Sequence, residues 1–130
     1  MLKTLHKQRG WSSGYIDANG IGNPIGEFAN KQVSARLKSF TWNANNKTKA
    51  YENLRALVFD RKIVFAEHLR ELLVRDMQNV SRVVNEAGVV KYVAGRNENG
   101  HSDSVSALVL ALTAAKEMPS SIQRPMAYMN

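Results

Sequence analysis

Two carboxylates and a histidine carry the chemistry that this sequence offers. Asp17 closes the stretch GYID (14–17), and Asp103 opens an apolar-striped segment two residues past His101. Asp17 is expected at the carboxyl end of a parallel strand, where α/β sheets place their ligands. Asp103 is expected at the N-terminus of the last helix, after a glycine-bearing loop. Two acids from separate elements, converging at one end of a sheet, can hold Mg²⁺ or Mn²⁺. Such ions stabilise charge on a phosphodiester during in-line attack. Each residue also has a purely structural use. Asp103 followed by Ser104 makes a good helix N-cap, Asp17 before Asn19 and Gly20 makes an ordinary turn, and a loop histidine is commonly just solvated.

Other chemistries are excluded or disfavoured by residue type and spacing. There is no cysteine, hence no disulfide framework and no Cys-based zinc or iron–sulfur site. His6, His68 and His101 are too scattered for a local His-only metal site. No Gly-Lys-Ser/Thr occurs, so a P-loop is absent. Gly20 and Gly22 begin a dinucleotide fingerprint, but the third glycine is Gly26, one place late. No acid lies between Lys31 and Tyr51 to bind a ribose. No apolar run reaches the roughly 18 residues of a membrane span, and the basic start has no signal-peptide core. These features predict a cytoplasmic protein that does not enter a membrane.

The elements that must position the acids follow from periodicity. The spacing predicts a short helix over 2–9, a strand over 14–17, and a helix over 24–32 with Asn23 as cap and Pro24 at its first position. Ile25, Phe28 and Ala29 should face inward there. Alternation predicts a strand over 34–40. A polar loop (41–46) precedes a helix over 48–60 striped by Ala50, Leu54, Leu57 and Val58. A short strand is expected over 63–65, then a helix over 67–78 with Leu69, Leu72, Leu73 and Met77 inward. VSRVV (80–84) and VVKYVA (89–94) flank NEAG as a β-hairpin. The last helix, about 103–117, buries Val105, Leu108, Val109 and Leu112. Alternating strands and helices imply an α/β fold with a mainly parallel sheet flanked by helices, plus the hairpin. The hydrophobic content of 44% suffices for a core, and the 130 residues suit one domain. Residues 1–118 would form it, with 119–130 an irregular tail.

The chain carries 18 Lys and Arg against 11 Asp and Glu, a net charge of +7. That balance points to an anionic partner, most simply nucleic acid. The candidate contacts are Lys38, Lys47, Lys49 and Arg55, within a wider basic set of Lys31, Arg36, Arg61 and Lys62. Trp42 and Tyr51 lie nearby in sequence and could stack on bases, although Tyr51 and Arg55 equally suit an ordinary helix face.

Four stretches together resemble the C-terminal nuclease domain of the terminase large subunit of tailed bacteriophages. YIDANGIGNPIGEF (15–28) is similar to the family's acid-bearing strand with its glycine-rich turn into a helix. FTWNANNKTKAYENLRALVFDRKIVF (40–65) and EHLRELLVRDM (67–77) are similar to the segments that follow. GHSDSVSALVLALTAA (100–115) is similar to the motif G-H-D-D-x-V-x-A-L-x-L-A-L, the most specific of the four. The likeness extends over about residues 1–117.

The resemblance implies an RNase H-like fold and a nuclease that uses three acids and two divalent ions to cut concatemeric DNA during head packaging of a phage or prophage genome. By motif, the second acid falls on Asp17, the third on Asp103, and the family's histidine on His101. Ser102 stands where the family often has a further acid. The first acid belongs to an opening strand that has no counterpart here, so the fold is expected to be partial, lacking its first strands. Three expectations follow. The chain alone is weakly active or inactive, since the two-metal clamp is incomplete. The strand at 14–17 has an open edge, which invites self-association or pairing with a separate N-terminal terminase segment. As alternatives, the chain is a non-catalytic basic DNA-binding module or a phage assembly module.

Overall fold

The computed structural model describes residues 13–19, 22–34, 36–95 and 102–118. The expected helix over 2–9, His101 and the tail over 119–130 lie outside them. The chain falls into two compact units, Met1–Thr41 with Thr113–Asn130, and Trp42–Leu112. The architecture is α/β, with four helices and two small sheets among the described residues.

In the first unit, β1 (Gly14–Asp17), α1 (Gly22–Gln32) and β2 (Leu37–Phe40) form a β–α–β crossover. β1 and β2 pair in parallel, with Gly14 opposite Leu37 and Asp17 opposite Phe40. The helix can lie close to the sheet because Gly26 has no side chain. A Cβ there would come within 2.3 Å of the Ser39 hydroxyl oxygen. Ala29 is buried and the Asn30 side-chain amide donates to the Leu37 carbonyl. Tyr15 meets Phe40 edge to face, ring centroids 5.4 Å apart, and its hydroxyl donates to the Glu117 carboxylate.

In the second unit, Asn43 caps α2 (Ala44–Phe59) by accepting the Asn46 N–H at 2.8 Å. That cap explains why the helix begins inside the stretch expected to be a loop. α3 (Glu67–Gln78) leads directly into β3 (Val80–Val84), which pairs antiparallel with β4 (Val90–Ala94). Gly88 takes φ 78°, the left-handed conformation that the hairpin turn requires. α4 (Asp103–Lys116), which belongs to this unit as far as Leu112, buries Val105, Val109 and Leu112 on one stripe. The core of this unit gathers Tyr51, Leu54, Leu73, Tyr92, Val105 and Val109. Tyr51 stacks on Tyr92 at 5.1 Å.

Several expectations are corrected. The expected parallel sheet is only one pair of strands among the described residues, and the expected hairpin forms a separate sheet of its own. The strand expected over 34–40 begins only at Leu37. The amides of Val33 and Ser34 both bond back to the Ala29 carbonyl and close the helix, and the Leu37 amide bonds to Ser34 in a turn. Residues 63–65 form no strand; they find no partner to complete a ladder among the described residues. Ile25 and Phe28 do not face inward, Phe28 being 64% exposed, because Gly26 and Ala29 take the sheet-facing side. Leu69, Leu72 and Val58 are likewise exposed. The outward face of the hairpin carries Val83, Val89 and Val93, each about half exposed, with Lys91 among them.

Candidate functional site

Asp17 is the last residue of β1 and is exposed. Its Oδ1 accepts the Asn19 N–H at 2.8 Å, so the carboxylate folds into the turn that leaves the strand. The second oxygen has no partner among the described residues and is available to a cation. Parallel pairing to Phe40 fixes the backbone at this point, and the Ala18 N–H bonds to the Phe40 carbonyl at 2.8 Å.

Asp103 is the first residue of α4 and is also exposed, with no ion pair among the described residues. The residue before it, Ser102, opens the helix in its place. Its carbonyl accepts the N–H groups of Val105 and Ser106, both at 3.1 Å. Ser102 is 3% exposed and has φ 62°, unusual for a residue with a side chain. Its hydroxyl donates to the Asp76 carbonyl at 3.1 Å. On the other side of Asp103, the Ser104 hydroxyl donates to Oδ2 of Asp76. Asp76 itself is 8% exposed, and Arg75 Nε lies 3.7 Å from its other oxygen.

Asp17 and Asp103 belong to different compact units. Among the described residues, no group of three or more His, Cys, Asp or Glu side chains could hold a metal ion. Each acid on its own offers exposed carboxylate oxygens, the donor type that hard divalent ions take.

The four cations expected at DNA have distinct surroundings. Lys38 on β2 and Lys49 on α2 are exposed and make no ion pair among the described residues. Lys47 is half-buried, its Nζ 6.0 Å from the centre of the Tyr51 ring. Arg55 sits over the Phe59 ring at 4.7 Å and lies 3.9 Å from Glu52. Tyr51 offers no face to a base: it is 4% exposed, packed on Tyr92 and bonded through its hydroxyl to Ser106 at 3.3 Å. Burial pushes its phenol above the usual range.

Two features escaped the sequence reading. One is Asp76, a buried acid whose position three residues after Leu73 places it on the apolar side of α3, a signal available in the spacing alone. The other is a groove of about 290 Å³ walled by Tyr51, Leu54, Val58, Phe59, Met77, Val80, Tyr92 and Val105, with Arg55 and Arg82. Beside it, Arg82 Nε donates to Glu52 at 2.7 Å and holds that carboxyl below its usual range. Burial raises the Tyr92 phenol, and the charge of Glu52 adds to the effect. Its residues come from several elements, so no local motif announces it.

In comparison with known proteins, the chain matches no family model, no curated protein and no solved structure. No helix of the described residues is long and apolar enough to cross a membrane.

Proposed function

We propose that the chain is part of an RNase H-like nuclease domain of the terminase type, acting on double-stranded DNA. It contributes Asp17 and Asp103 as two of three metal-binding acids and cuts weakly or not at all alone. The observation that carries this reading is the parallel β1–α1–β2 crossover that ends its first strand on an exposed Asp17. The carboxyl end of a parallel strand is where such folds place their chemistry. The exposed Asp103 at the start of α4 supports it. Bound Mg²⁺ or Mn²⁺ would stabilise charge on the scissile phosphate.

The edge of β1 supports a strand partner. The Gly14 N–H bonds to the Arg36 carbonyl just ahead of β2, and the Ala18 N–H bonds to Phe40 at its end. Alternate residues of a parallel strand point the other way, so Tyr15 and Asp17 turn their backbone groups outward. No strand among the described residues pairs there. A second copy or a separate N-terminal segment would complete the sheet.

A supercoiled-plasmid assay with Mn²⁺ tests the reading. The expected result is little cutting by the chain alone and a large gain when the opening strands and their acid are supplied in trans. Asp17→Asn and Asp103→Asn should each abolish that gain. Robust cutting by the chain alone, lost in both variants, would refute the incomplete-site part of the reading. A second reading, a non-catalytic DNA-binding module, is favoured by the exposed Lys38 and Lys49, which make no ion pair among the described residues. It predicts salt-dependent DNA binding indifferent to metal and to both aspartates.

A further inference from the structure

We propose that Asp76 and Ser104 form a clamp that positions the Asp103 carboxylate, an inference that rests on the nuclease reading. Asp103 is held between two serines, and both of them bond to the same residue of α3. Ser102 donates to the Asp76 carbonyl at 3.1 Å, and Ser104 donates to the Asp76 carboxylate. These contacts bridge 26 and 28 residues of chain, so they tie the first turn of α4 to the last turn of α3. Val105 is fully buried and fixes the helix from the next position. With its neighbours pinned, Asp103 is left facing solvent.

Two observations indicate that this arrangement serves more than stability. A carboxylate buried to 8% exposure is costly and is outperformed by apolar packing when stability alone is at stake. Ser102 is also held at φ 62°, a conformation that non-glycine residues adopt at a cost and that gathers at functional sites. Both features lie within one residue of Asp103 or contact its neighbours. Asp76 touches no substrate in this scheme and is a positioning residue, acting through Ser102 and Ser104.

Two measurements on the full chain test the clamp: Mn²⁺ titration followed by electron paramagnetic resonance, and amide hydrogen exchange. Ser104→Ala should weaken Mn²⁺ binding about 10-fold, and Ser104→Thr, which keeps the hydroxyl, should restore it. Asp76→Ala should match Ser104→Ala; if that variant fails to fold, Ser104→Ala decides. The amides of Val105 and Ser106 should exchange about 10-fold faster in Ser104→Ala, with those of the β3–β4 hairpin unchanged. Wild-type Mn²⁺ affinity in Ser104→Ala, beside loss of binding in Asp103→Asn, would overturn the proposal. Mn²⁺ binding unchanged in Asp103→Asn would instead overturn the nuclease reading, whereas absence of Mn²⁺ binding by the wild type is what an incomplete site allows. The clamp itself would then stand or fall on the exchange result.

Discussion

Asp17 and Asp103 are both exposed acids at the boundary of a regular element, yet they are fixed by different means. Asp17 is set by local geometry. One backbone N–H two residues away bonds its carboxylate, and strand pairing holds its main chain. Asp103 is set from a distance, by serines on either side that reach a buried acid on another helix. A local turn forms wherever its residues occur and tolerates change around it. A tertiary clamp is only as good as its buried partner. The position of Asp103 should therefore be the more sensitive of the two to substitutions outside itself.

Three substitutions would break or sharpen this contrast. Gly26→Val should have the largest effect, about 3 kcal/mol by denaturant titration, because the added side chain must displace Ser39 from beneath the helix. That loss tests whether close packing of α1, rather than the Asp17 turn, maintains the β1–α1–β2 crossover. Ser104→Ala should cost about 2 kcal/mol, the value of a hydrogen bond to a charged acceptor plus the partner left short. Asp17→Asn should cost less than about 0.5 kcal/mol by the same titration, since asparagine makes the same turn. A cost for Asp17→Asn equal to that of Ser104→Ala would end the distinction drawn here.

The smallest effects are pH-dependent and of opposite sign. Burial, with the hydrogen bond and charge of Glu117, pushes the Tyr15 phenol up to about 12 from 10.0. Its contribution is complete below pH 10.0 and is lost as pH rises towards about 12. Glu52 is held below its ordinary 4.5 by Arg82. Its contribution is present above pH 4.5 and fades as pH falls below it. Thermal melts should therefore show an alkaline loss removed by Tyr15→Phe and an acid loss removed by Glu52→Gln.

Much of the secondary structure could be read from the residues. β1, the 67–78 helix, the hairpin and the buried stripe of the last helix all follow strong local patterns: a polar turn after GYID, a leucine stripe, and NEAG between valine runs. The failures have physical causes. Asn43 starts α2 early because a cap outweighs the low helix propensity of the asparagines behind it. Phe28 looks like a core residue by type, but the small faces of Gly26 and Ala29 let the helix approach, so the large side chain stays outside. The two acids were visible as residue types. What fixes them was only half visible, since the Asp17 turn is local and the Asp76 clamp joins distant segments.

The valine-lined outer face of the β3–β4 hairpin bears on the handling of this protein at high concentration. A two-stranded ribbon with Val83, Val89 and Val93 half exposed is a self-stacking surface, and Lys91 is the charge set among them. Lys91→Gln is therefore expected to raise self-association through this ribbon, read as concentration-dependent light scattering, while the fold beneath stays intact.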